Sequence, residues 1–254
     1  MSKITNEKLR RLNRIMAAVH AVQGIIILAI AKDFAPPITT GYLYFDQATK
    51  SLQPAQHTIG HLSLPLLIAL FFLTSAVAHY VIATIGYKAY TNGLRKGINR
   101  FRWFEYAVSA SIMIVAISLL VGIYDVAILA SAFALTAIMN LMGLVMEVHN
   151  QTTKKTSWLS YYIGSFAGLI PWAVIAYYFY TSSTYGGSQP PMFVYWIFVS
   201  IFVFFSCFAA NMILQYKKVG KWKDYRYGEK VYIYLSLFAK SALAWQVFAG
   251  TLRP

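Results

Sequence analysis

The chain has 254 residues, of which 58% are hydrophobic, 17% aromatic and 12% charged, against about 25% charged in soluble globular domains. That balance excludes an ordinary water-soluble domain, and several apolar stretches reach the roughly 20 residues that a helical crossing of a bilayer needs. The net charge of +14 is not read as a nucleic-acid signature, because the basic residues collect between the apolar runs.

Seven apolar segments follow one another along the chain. The N-terminal stretch to Arg14 is basic, and the run after it offers no small-residue cleavage site, so no cleavable signal peptide is read. The first span is expected over about Ile15–Ala31 and the second over His61–Ile85. The segment between them, about 32–60, is the longest loop. It holds Pro36-Pro37, a Thr-Thr-Gly turn signal and Tyr42-Leu-Tyr-Phe45, which predicts a short β-hairpin. The third span runs from Trp103 to Val121, the fourth from Val126 to Val148 and the fifth from Trp158 to Tyr180. The sixth covers Pro191–Tyr216 and the seventh Glu229–Gly250. Backbone groups in hydrocarbon must be satisfied within the segment, so these are helices. The fold class is therefore an all-α membrane protein, one seven-transmembrane-helix domain over 1–254. The lone cysteine, Cys207, lies in the sixth span and excludes an intrachain disulfide.

The loops alternate in charge. Lys and Arg number 22, and 18 of them fall in the N-terminus, the second–third and fourth–fifth loops and the sixth–seventh loop with its edge. The opposite side has Lys32, Lys50 and Arg253 alone. Positive charge is retained in the cytoplasm, which predicts a cytoplasmic N-terminus and an extracellular C-terminus in the cell membrane.

The remaining cation, Lys240, sits in the middle of the seventh span. A charged lysine there costs roughly 2.5–3.5 kcal/mol on insertion scales, so it is paired with a carboxylate or covalently modified. A lysine amine can form a Schiff base with an aldehyde, and the protonated imine then needs an anion nearby. Glu105, Asp125 and Glu147 are the acids considered at the spans. Asp125 lies in a turn and Glu147 closes the fourth span, which leaves Glu105. Lys240 lies 11 residues past Glu229, about 16 Å along a helix. A third helix starting near Leu94 puts Glu105 at the same depth, whereas a start at Trp103 leaves it shallow. Two readings stay open for the pair: a structural salt bridge, or a site for a carbonyl cofactor. Glu105 can also be read as an interfacial carboxylate paired with Arg102. Ser236, one turn before Lys240, either bonds its own backbone or serves the lysine nitrogen from the same face.

The stretch Ser236-Leu-Phe-Ala-Lys240-Ser-Ala-Leu-Ala-Trp-Gln246 resembles the retinal-binding helix of heliorhodopsins. Three further motifs resemble that family in order. They are Phe101-Arg-Trp-Phe-Glu105-Tyr106 with Ser109 and Ser111, Gly168-Leu-Ile-Pro171-Trp172, and Leu214-Gln-Tyr-Lys217 with Gly220-Lys-Trp222, Tyr225 and Tyr227-Gly-Glu229. The likeness runs from Asn13 to Pro254 and agrees with seven spans and a cytoplasmic N-terminus.

The resemblance implies a rhodopsin-like bundle holding all-trans retinal on Lys240, with Glu105 as counterion and Ser236 at the Schiff base. It implies that Ser109, Met139, Gly143, Trp172, Phe205 and Trp245 line the chromophore and that His20 and His79 belong to an inner polar cavity. For the histidines a satisfied core imidazole is the plain alternative, and for the aromatics simple helix packing. The resemblance also implies a homodimer and a light sensor rather than an enzyme or an efficient pump, with a cytoplasmic signalling partner in view. The carboxylate inventory agrees, since the third span has no second acid after Glu105. A light-driven transporter or channel is the alternative, as is a light-dependent regulator of a partner enzyme. No nucleic-acid, metal or nucleotide motif is read.

Overall fold

A computed structural model describes residues 4–186 and 190–253; Lys3, counted among the basic residues above, lies outside them. Among the described residues seven helices are long and apolar enough to cross a bilayer. They are α1 (Asn6–Ile30), α2 (Leu64–Ala83), α4 (Arg100–Leu120), α5 (Val126–His149), α6 (Leu159–Tyr185), α7 (Met192–Tyr216) and α8 (Tyr225–Val247). A π turn, Phe248–Leu252, continues α8, and a short helix α3 (Tyr87–Arg95) lies between α2 and α4. The chain is a multi-pass, mostly helical membrane protein, as its composition requires.

Side-chain caps set several helix starts. Ser63, Asn99, Asp125 and Asp224 each accept a backbone N–H from the first turn of α2, α4, α5 and α8, satisfying donors that have no intrahelical partner. The first helix begins nine residues before the hydropathy edge at Ile15. Its buried face explains the extension: Leu9, Asn13, Met16, His20, Gly24 and Ile27 recur at helical spacing. Most of the charges that depress the local hydropathy lie on the outer face of that same helix.

The start of α4 corrects the sequence reading. Neither Leu94 nor Trp103 begins it, because the chain breaks between α3 and α4. Gly97 takes a left-handed φ of 69°, which glycine adopts without a Cβ penalty, and Asn99 then caps the new helix. Hydropathy sees one polar stretch there and cannot separate two helices.

The predicted hairpin is present and long, with β1 (Pro37–Asp46) antiparallel to β2 (Ser51–His61). The turn is not at Thr-Thr-Gly. Thr39–Gly41 pair within the ladder, and the reversal falls over 47–50, where Asp46 Oδ1 accepts the Ala48 N–H at 2.8 Å. The base of β1 is tied to the bundle: Thr39 N–H donates to the Tyr124 carbonyl at 2.9 Å, and Gly41 N–H to Asp125 Oδ2 at 3.3 Å. Asp125 thus serves as a helix cap and hairpin anchor.

Helix α4 is the most enclosed of the seven. It packs between α2 and α5 and also touches α6 and α7, while α8 closes against α1 and α7. Because the spans alternate, α1, α4, α6 and α8 all start at the end rich in Lys and Arg, opposite the hairpin. The main apolar core fills the hairpin half, around Phe71, Phe72, Ile114, Ile117, Leu243 and Val247. The polar groups lie nearer the basic end.

Candidate functional site

Lys240 Nζ lies 3.3 Å from Glu105 Oε1, with both side chains buried. Nζ also donates to Ser236 Oγ at 2.8 Å, so the hydroxyl one turn away faces the lysine rather than only its own helix. Ser75 Oγ, on α2, donates to Glu105 Oε1 at 2.5 Å. Glu105 is therefore held from two helices, and Ser75 went unnoticed in the sequence because a serine in an apolar helix usually bonds its own backbone. Ser109, wholly buried, follows Glu105 by one turn, and against expectation it is not among the residues that line the cavity beside Lys240.

The two groups meet without matching helix depth. Glu105 is only five residues into α4, while Lys240 is 15 into α8. In a helix long side chains lean toward the N-terminus, so the lysine stem covers part of that offset by reaching back toward the basic end, where Glu105 lies.

His20 and His79 stack with ring centroids 5.5 Å apart, and His79 lies within electrostatic reach of Glu105 and Lys240. Asn13 Nδ2 donates to the Leu9 carbonyl at 2.8 Å, which turns its Oδ1 toward His79 Nδ1 at 2.6 Å. His79 Nδ1 must then be the donor, and a neutral ring carries its lone pair on Nε2. Both ring nitrogens of His20 are buried and without a hydrogen-bond partner among the described residues. The two histidines are thus brought together beside the ion pair, as one inner polar group.

On the other side of Lys240 an apolar cavity of about 220 Å³ opens among α4, α5, α6, α7 and α8, many times the ~30 Å³ share of one water. Of the residues expected there, Met139, Gly143, Trp172, Phe205, Ser236 and Lys240 line it. Trp172 meets Phe202 and Phe205 edge-on, each with centroids 5.3 Å apart. Gly143 is required for space: a Cβ would stand 2.4 Å from the Trp103 ring, and one on Gly168 would stand 2.2 Å from Met139 Sδ. Bare backbone lets these large side chains lie flat against α5 and α6, so the slot stays open between them.

Trp245 is a correction. It does not line the cavity; it is 37% exposed, and its Nε1 donates to Gln23 on α1 at 3.0 Å. Helical phase explains it. Lys240 and Trp245 are five residues apart, about 140° around the helix at 3.6 residues per turn, so they cannot share a narrow face.

A second charged centre was missed. Arg102 is not an interfacial partner of Glu105 but is buried between Glu147 and Glu229, donating to both carboxylates. Glu147 also accepts from Trp103 Nε1 at 2.7 Å, the Asn99 N–H at 2.9 Å and Tyr225 Oη at 2.8 Å. Asn99 Nδ2 donates to Glu229 at 2.6 Å. The guanidinium lies over the Tyr232 ring at 4.0 Å. Both acids sit near helix edges in the sequence, where a carboxylate normally meets water, and that placement hid them. The Asn99 cap, three residues before Arg102, was the available signal.

The arrangement is a rhodopsin fold with a lysine–carboxylate pair at an apolar slot. The chain is similar to the crystal structure of cyanorhodopsin from the cyanobacterium Tolypothrix sp. NIES-4075, with a TM-score of 0.63 over 98% of this chain and 96% of that one, at 14% identity. Residues 9–252 match the family model Heliorhodopsin, and the chain belongs to the heliorhodopsin family. It is accordingly a retinal photoreceptor-type membrane protein. A search of curated proteins gave no match.

The slot fits retinal. A buried primary amine at one end of an aromatic, apolar cavity is the donor set for an aldehyde with a long hydrocarbon body, and the glycine-backed walls leave room for it.

Arg102→Met removes the only guanidinium between two buried carboxylates. The expected loss of stability is about 3–5 kcal/mol, read as a lower midpoint in thermal or denaturant unfolding of the purified protein. Adding Glu147→Gln and Glu229→Gln to the same chain is expected to recover much of it. An unchanged midpoint in the single variant would show that the cluster is not holding the basic end together.

Proposed function

We propose that this protein is a light sensor, a single retinal-binding domain over 1–254, that holds all-trans retinal on Lys240 as a protonated Schiff base and signals without net ion transport. The observation that carries the reading is the Lys240–Glu105 pair at 3.3 Å, open on one side to the apolar slot. Bound retinal supplies light absorption and double-bond isomerisation. Lys240 provides the attachment nitrogen, and condensation with the aldehyde releases water. Glu105, fixed by Ser75, supplies the counter-charge that a buried cation needs. Ser236 orients the nitrogen, and Met139, Gly143, Trp172 and Phe205 confine the ligand body.

The proton chemistry stays local. Glu105 and the His20–His79 pair stand on the basic-end side of the lysine, and His20 has an acceptor nitrogen with no hydrogen bond among the described residues. A proton leaving the lysine nitrogen rests in this group and returns by the same route. Toward the hairpin, α4 carries no further acid before Asp125, which is engaged as a cap. Transfer out and back moves no net charge, and the lit state lasts long enough to be read. The output is a change at the basic end, which faces the cytoplasm and meets a signalling partner. Family membership supports a homodimer as the working assembly.

Lys240→Ala is expected to abolish the visible pigment, and Glu105→Gln to shift its band to longer wavelength. Absorption spectra of the three proteins with added all-trans retinal decide this. Full colour in the alanine variant would remove the attachment role.

Continuous illumination in a patch-clamped membrane is expected to give no steady current, while flash spectroscopy of the same preparation shows a long-lived altered state. A sustained photocurrent above the Lys240→Ala background would make the protein a transporter.

Accessibility labelling on intact cells is expected to reach the hairpin and spare the N-terminus. The reverse pattern would overturn the orientation.

A further inference from the structure

The cavity has a second end. Helices α5 and α6 pack on one another and on α4, across the bundle from α8. A ligand attached at Lys240 that fills the slot therefore ends against α5 and α6. That end is not purely hydrocarbon. Asn140 on α5 and Ser160 on α6 both line the cavity and are 7% and 8% exposed.

Neither side chain is satisfied by the protein. Asn140 Nδ2 donates to the Thr136 carbonyl at 2.9 Å, which fixes the amide orientation, since the opposite flip would set oxygen against oxygen. The acceptor Oδ1 makes no hydrogen bond among the described residues, and Nδ2 keeps a second hydrogen beyond the one given to Thr136. Ser160 Oγ likewise has no hydrogen-bond partner among them. A buried acceptor pressed against hydrocarbon loses its water and gains nothing. A leucine of similar size would fill the same place without that cost.

We propose that the α5–α6 end of the cavity is a recognition site for an oxygenated ring, and that the preferred ligand is a retinal bearing a ring hydroxyl group that donates to Asn140 Oδ1. The proposal rests on the retinal reading and goes on to name the ligand class. It distinguishes among oxygenated rings. A ring ketone can only accept, from Ser160 or the second Nδ2 hydrogen, and leaves Oδ1 without a donor, whereas a hydroxyl donates to Oδ1 and also accepts from a rotatable serine such as Ser160.

The test is competition. Membranes containing the apoprotein are given equal amounts of all-trans retinal and its ring-hydroxylated form, and separately of retinal and a ring-keto analogue. The bound aldehydes are then extracted and quantified. The wild type is expected to take the hydroxylated form over retinal by about 3–10-fold, the effect of one neutral hydrogen bond, and to prefer the ketone less, since the ketone leaves Oδ1 unpaired. In Asn140→Leu, and in Asn140→Ala should the larger side chain not fold, the hydroxyl preference is expected to vanish or reverse.

Equal uptake by the wild type overturns the proposal and leaves the retinal reading intact; it means that water satisfies Asn140. An equal preference for the ketone, or a hydroxyl preference that survives both Asn140 variants, also overturns it. Failure of all three aldehydes to form a pigment overturns both readings together.

Discussion

A charge inside a membrane-spanning bundle has no water to fall back on, and the architecture follows from how its two buried cations are met. Lys240 faces Glu105, and Arg102 lies between Glu147 and Glu229. Each arrangement draws side chains from different helices, so neither ion can be satisfied until the helices are assembled. Removing one partner strands the other in a low dielectric, which costs far more than the pair contributes. Helix α4 carries both Arg102 and Glu105, three residues apart and nearly one turn. That explains why it is the most enclosed span and why its start is pinned by Asn99 rather than left to fray.

The two centres are joined by aromatic side chains. Trp103 donates to Glu147, lies under the Arg102 guanidinium at 4.6 Å and presses against the Gly143 backbone on the cavity wall. Tyr106 stands beside Lys240, with Nζ 5.4 Å from its ring centre, and its hydroxyl donates to the Tyr232 carbonyl at 2.9 Å. A change of shape in the cavity therefore meets, as its next neighbours, the groups that hold the charge cluster at the basic end. Packed interiors transmit displacement rather than absorb it, which leaves a short packed route from the cavity to the basic end.

The hairpin half is built on a different principle. Apolar side chains dominate it with no buried ion pair among the described residues, and the loop that leaves it is anchored by Asp125 and the Tyr124 carbonyl. The buried ion pairs lie nearer the basic end.

The sequence by itself determined the class, the seven spans, the presence of a hairpin, and the identity of Lys240 as the residue around which the rest is arranged. Those follow from length, hydropathy and the high cost of one misplaced charge, all of which are local or additive along the chain. The carboxylate inventory already singled out Glu105 as its partner, and the resemblance to heliorhodopsins added the counterion role and most of the cavity wall. Tertiary structure alone decided the rest. It broke the second–third loop into α3 and a capped α4, because a left-handed glycine and an asparagine cap act over two residues that hydropathy averages away. It turned Trp245 out to Gln23 through helical phase. It buried Arg102, Glu147 and Glu229 together, although each sits at a helix edge, because only the crossing of α4, α5 and α8 shows that those edges meet inside the protein rather than in water.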